Sequence, residues 1–177
     1  MHRILVVLIL AFGVTMASQA TAAPRQAPGK ALPARGVLHP GKSLAGVKLG
    51  DTKQRVTALW GNNYRVCPRS TRMCGELTWY YIYPKGEPLG VAVRFKNGRV
   101  VTIFTLGSPF GWRTAQGLLM GQQVERARSL YGTMRWTVCI GYGAMSMHRK
   151  DSVTSIYTTG EAVYGFALAR PSEPVCN

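Results

Sequence analysis

A sixteen-residue stretch occurs twice in this chain, and that recurrence constrains the fold more than any other feature. Residues 46–61 align without a gap on residues 117–132, an offset of 71, with five of sixteen positions identical: Gly46/Gly117, Gly50/Gly121, Arg55/Arg126, Leu59/Leu130 and Gly61/Gly132. Matched glycines at fixed spacing point to an internal duplication. In the first copy Gly50 permits a turn, Asp51 is placed to cap a helix, and Val56, Leu59 and Trp60 fall on one helical face before Gly61 ends it. In the second, Val124, Ala127, Leu130 and Tyr131 make the same stripe, Gly132 ends it, and Gln122 is the weaker cap. The stripes predict helices packed on a sheet.

Alternating segments follow each helix. In the first half they are 64–67, 77–83, 91–95 and 100–106, with Asn97-Gly98 marking a two-residue hairpin turn. In the second they are 136–139, 144–148, 152–157 and 162–168. The expected fold is α+β: two tandem repeats, 43–108 and 109–177, each a helix packed on about four antiparallel strands. A half of about 65 residues is marginal alone, so stapling each half and sharing a sheet or an interface would compensate.

The flanking segments give an address. Residues 1–23 read as a secretory signal: His2 and Arg3, an apolar run of 13 residues from Ile4 to Met16, then the small-residue cleavage site Ala20-Thr21-Ala22. That run is shorter than the roughly 20 residues needed to span a bilayer, so the expectation is an exported chain with no transmembrane segment once the signal is removed. Residues 24–42 hold four Pro, three Gly and five basic or His residues, the composition of an extended linker. In an oxidising compartment the four cysteines predict two disulfides. Of three pairings, Cys67–Cys74 with Cys139–Cys176 is preferred, because it gives each half one staple. No metal site or cofactor is expected, since the only His after residue 39 is His148.

Leu49-Gly50-Asp51-Thr52 through Gly61, and Met120-Gly121-Gln122-Gln123 through Gly132, resemble the repeat of secreted β-lactamase-inhibitor proteins. They are also similar to the single repeat of small outer-membrane-assembly lipoproteins. The first resemblance implies a helical hairpin on a four-stranded sheet in each repeat, one disulfide per repeat, and an aromatic strand and acidic hairpin that engage an enzyme. The matching pieces here are Trp79, Tyr81 and Tyr83 on one strand face and Glu87 in the following hairpin. The chain departs from the inhibitors in being strongly basic, and from the lipoproteins in lacking an anchoring cysteine.

Catalysis finds little footing. A nucleophile triad needs a positioned His, His148 sits among Met147, Arg149 and Lys150 as at a strand end, and the carboxylates are better explained as caps and turn residues. Charge says more. Lys+Arg number 22 against 7 Asp+Glu, a net charge of +15, which attracts anionic partners at long range. Arg94 and Lys96 alternate with Val91, Val93 and Phe95 and should be exposed. Either Trp79, Tyr81 and Tyr83 or Tyr80 and Ile82 pack on the helix, and the other set is free to bind. The sequence therefore predicts a secreted, non-enzymatic protein that recognises another macromolecule through its sheet face, a secreted hydrolase being one candidate. The candidate binding residues are Trp79, Tyr81, Tyr83, Glu87, Arg94 and Lys96. The alternative is a basic cell-envelope module holding anionic wall polymers or envelope proteins. Export makes nucleic acid a poor physiological partner.

Overall fold

The computed structural model describes residues 31–67, 77–82 and 90–176. In chain order the elements are β1 (Val37–His39), β2 (Ser43–Leu44), α1 (Lys53–Trp60), β3 (Arg65–Cys67), β4 (Leu77–Tyr80), β5 (Gly90–Lys96), β6 (Arg99–Leu106), β7 (Arg113–Thr114), α2 (Val124–Tyr131), β8 (Arg135–Cys139), β9 (Tyr142–His148), β10 (Val153–Thr159) and β11 (Ala162–Ala169). Eight strands form one antiparallel sheet in the order β3-β4-β5-β6-β11-β10-β9-β8, and β2-β1-β7 form a small second sheet.

The fold class differs from the expectation. The described chain is mostly β, its two helices have eight residues each, and no helical hairpin is present among the described residues. One continuous sheet replaces two units of helix packed on strands. The reason lies in β6 and β11. Residues 100–106 of β6 are buried throughout, and so are all but two positions of β11. A strand apolar on both faces cannot serve as an exposed edge. The two therefore pair with each other, from Thr102↔Ala169 to Leu106↔Gly165. Gly165 allows the close approach, since a Cβ there would run into the Thr105 carbonyl oxygen.

The first face of the sheet carries the main core. Val56 and Trp60 of α1 and Val124 and Ala127 of α2 are buried against Val93, Ile103, Ile156 and Phe166. Leu38 and Leu44 of the small sheet join the same cluster. Trp60 donates from its indole nitrogen to the Ala45 carbonyl at 2.9 Å, and its ring meets Trp112 at 5.8 Å. Each helix enters through the glycine motif. Gly50 and Gly121 have φ of +85° and +84°, and their amides donate to Val100 and Val163 respectively, both at 2.8 Å.

Two local expectations change. The N-cap of α1 is Thr52, whose hydroxyl accepts from the Arg55 amide at 3.1 Å. Asp51 instead accepts from the Lys48 amide at 2.8 Å, closing the preceding turn. Gln122 does the same for Leu119 at 3.0 Å, and Gln123, the N-cap of α2, makes no side-chain cap bond. The stretch expected as a linker is also partly structural. Leu38 in β1 is fully buried, and the Pro33 carbonyl accepts from the Trp112 indole at 3.0 Å. An apolar strand residue with a sheet to pair against outweighs the surrounding Pro and Gly.

Candidate binding face

Period-two alternation sends neighbouring residues of the aromatic strand to opposite faces. Trp79 goes to the first face, 6% exposed, with its ring stacked on Tyr64 at 3.9 Å and tilted against Phe95 at 4.7 Å. Tyr81 packs on the same side. Its ring meets Trp60 edge-on at 5.2 Å and its hydroxyl donates to the Gly61 carbonyl at 3.2 Å. Burial, with Tyr64 alongside, holds its phenol well above the usual value of 10.0. These two candidates belong to the wall of the core. Tyr83 and Glu87 lie outside the described residues, as does Cys74, and with it the Cys67–Cys74 pair.

Tyr80 points the other way and opens the second face. It is half-buried, and its ring meets Phe104 of β6 edge-on at 6.3 Å. Strand register places Tyr80, Ala92, Phe104, Ala167, Ser155 and Ser146 in one row across the sheet. The row ends at two exposed arginines on the edge strands, Arg65 opposite Tyr80 and Arg135 opposite Ser146. With strands about 4.8 Å apart, eight of them span roughly 34 Å. From Ala92 to Ser146 the row is buried and, Phe104 apart, its side chains are small; the Ser146 and Ser155 hydroxyls share a hydrogen bond of 2.8 Å.

More tyrosines gather on this face. Tyr142 meets Tyr157 at 5.2 Å and Tyr164 at 6.4 Å. Tyr157 is fully buried, whereas Tyr142 and Tyr164 are half-buried. The register of β10 against β11 shifts between Tyr157 and Thr158, and this irregularity brings Tyr164 out of strict alternation and onto the second face. The C-terminal segment crosses the same face. Glu173 forms an ion pair with Arg94 at 3.8 Å, Tyr157 donates to the Val175 carbonyl at 2.7 Å, and Cys176 is bonded to Cys139.

Of the two candidate cations, Arg94 is on the second face but nearly buried under Glu173, with 12% and 8% of the two side chains exposed. Lys96 is exposed, at the hairpin end opposite Arg99. The structure thus separates the candidates: Trp79 and Tyr81 on the first face, Arg94 on the second, Lys96 at the rim. Sequence reasoning missed Phe104, which meets Tyr80, and Tyr142 and Tyr164, which share its face of the sheet. Neither Tyr164 nor Phe104 carried a readable signal, because a register shift decides the face of each. Continued from the Asn97-Gly98 turn, the register would set Phe104 opposite Val91 on the first face, and the shift between Arg94 and Phe95 sets it opposite Ala92 instead. Among the described residues no group of three His, Cys, Asp or Glu could hold a metal ion, and no helix is long and apolar enough to cross a membrane.

No protein-family model and no curated protein matches the chain. Among solved structures, an extracellular protein containing an SCP domain from Bacillus anthracis str. Ames is similar, with a TM-score of 0.45 and 12% identity over 70% of this chain. The match takes in 44% of that protein, so this chain spans less than half its length. A likeness this loose carries no argument about fold or role. The chain itself is disulfide-linked and mostly β, with a tyrosine-bearing sheet face.

Proposed function

We propose that the chain is a secreted, non-enzymatic binding protein that takes a second protein on the tyrosine-bearing second face of its sheet. The observation that carries this reading is the set of half-buried tyrosines on that face, Tyr80, Tyr142 and Tyr164, with exposed Arg65 and Arg135 at its two edges. Tyr and Arg are enriched in binding hot spots, and the rings this face offers a partner are those of the half-buried tyrosines, since Phe104 is only 4% exposed. A face roughly 34 Å wide accommodates the ~800 Å² that each partner contributes to an ordinary interface. Secretion is supported by the leader-like residues 1–23 and by the Cys139–Cys176 bond, a linkage of oxidising compartments. The net charge of +15 favours an acidic partner. Because the glycine motif resembles the β-lactamase-inhibitor repeat, a secreted β-lactamase or other hydrolase is the first class to assay.

The second reading, a module holding anionic wall polymer, draws on the exposed cations Arg65, Lys96, Arg99 and Arg135. The two separate in one experiment. The chain without residues 1–23 is immobilised, exposed to culture and envelope fractions, and washed at low salt and then at about 1 M, where the screening length falls to ~3 Å. A single protein retained through the high-salt wash, and lost with Tyr80→Ala/Tyr164→Ala, is the expected result. Polymer that washes off with salt, and that binds the double variant equally well, would replace this reading with the second.

A further inference from the structure

The least defended part of the molecule is the far edge of its sheet. Among the described residues β8 is the outermost strand and pairs only with β9, in an unbroken register from Arg135↔Ser146 to Cys139↔Tyr142. Its outer side therefore presents backbone amides and carbonyls at alternate residues, with Cys176 Sγ lying 3.7 Å from the Val138 carbonyl. Cys139 and Tyr142 close a two-residue turn, so they exchange both hydrogen bonds, and alternation turns the amides of Trp136 and Val138 outward. Native edges are usually blunted by Lys, Pro, a bulge or shortness. β8 has none of these.

It carries an apolar stripe instead. Trp136 is 51% exposed, Val138 78% and Ile140, in the turn, 100%. Trp136 and Val138 share one face, and the indole sits over Gly143 of β9, where a Cβ would collide with the ring. A glycine beneath an exposed tryptophan fixes the ring as a platform along the edge. The opposite edge, β3, has three residues and one exposed apolar side chain, Val66.

Charge selects the occupant. Arg135 is exposed at the start of β8, and exposed Arg149 and Lys150 lie in the β9–β10 turn at that same end of the sheet. The same turn holds exposed Asp151, so this end of the sheet carries three exposed cations against one carboxylate. A second copy of this chain would bring the same cations and another +15, whereas an acidic strand would meet complementary charge. We infer that β8 is a docking edge, and that its occupant is an extended, acidic segment of a partner protein that adds to the sheet as a ninth strand. Main-chain hydrogen bonds hold the segment, alternate apolar side chains rest on Trp136 and Val138, and its carboxylates face Arg135 and the β9–β10 turn. This edge is distinct from the tyrosine face, so either surface can fail alone.

The test is a displayed library of random ten-residue peptides, panned against the chain without residues 1–23. Expected are selected peptides that alternate apolar side chains and carry net negative charge. They should bind Val138→Pro, which removes the outward amide, and Val138→Lys, which keeps it but buries charge in the stripe, at least tenfold more weakly. They should bind Tyr80→Ala/Tyr164→Ala unchanged. Bound peptide should slow hydrogen exchange at the Trp136 and Val138 amides. Should Val138→Pro fail to fold, Val138→Lys alone decides the outcome. The inference is overturned if no peptide is selected, if selected peptides lack acidic excess, or if they bind the β8 variants as well as the parent. It is also overturned if sedimentation shows a dimer whose β8 amides are protected without peptide, because the edge then belongs to a second copy.

Discussion

At the residue scale, the informative pair is Trp79 and Tyr80, neighbours in sequence that face opposite sides of one sheet. Trp79 is sealed beneath Tyr64 and against Phe95, so Trp79→Ala removes a core aromatic and should cost about 3–5 kcal/mol in urea unfolding. Tyr80 is half-buried against Phe104, and Tyr80→Ala should cost nearer the ~0.5–1.5 kcal/mol of an aromatic pair. Tyr81 sets a pH dependence. Its folded phenol holds its proton above the usual value of 10.0, chiefly because burial penalises the phenolate. The folded chain then binds more protons than the unfolded one once the solution passes that value. This component of stability is complete below about pH 10 and is lost as pH rises beyond it. Tyr81→Phe should flatten the decline measured by denaturant titration between neutral and strongly alkaline pH.

At the element scale, the two short helices show what a cap contributes. α1 begins at Thr52 with a side-chain cap, whereas α2 begins at Gln123 without one. Helices of eight residues are too short to persist without packing, so each end matters. Thr52→Ala should lower stability by about 1 kcal/mol, and Gln123→Ser should raise it by ~0.5–1 kcal/mol, opposite shifts that thermal melts would resolve. The turns before the helices need separate account. Asp51 and Gln122 use different chemistry, a carboxylate and an amide oxygen, to accept equivalent amides of Lys48 and Leu119. That explains why a poor helix cap, Gln122, occupies the position matched to Asp51.

At the scale of the whole molecule, the β6–β11 seam makes one body out of two halves. Both strands are buried on both faces, and their pairing covers five residue pairs. Unfolding should therefore be a single cooperative transition by calorimetry, with no separate melting of 43–108 and 109–177. Gly165→Val should be among the most damaging substitutions, since the new side chain meets the Thr105 carbonyl across the seam. Overpacking of this kind costs about 1–3 kcal/mol or more. Two well-separated transitions would show that the seam contributes little. The C-terminal segment is part of the same organisation: Arg94–Glu173, Tyr157–Val175 and Cys139–Cys176 tie it across strands from both sides of the seam.

Much of the local structure was legible in the sequence, because it depends on contacts within a few residues. Periodicities of three to four placed α1 and α2, and alternation placed the strands. Positive φ at both Asn97 and Gly98 meets the demand of the two-residue turn predicted there. The cysteine arithmetic anticipated the Cys139–Cys176 bond. The tertiary structure decided what depends on partners distant in the chain. Alternation says that Trp79 and Tyr80 part company, but only packing against Trp60 and α1 decides which of them is core. Burial of β6 and β11 on both faces decides that two sets of strands merge into one sheet. The register of that merged sheet, with its shift at Tyr157/Thr158, gathers Tyr80, Tyr142 and Tyr164 on one surface and leaves β8 at the edge. Sequence period fixes which side chains share a strand face; only the closing of long-range pairs fixes what that face meets.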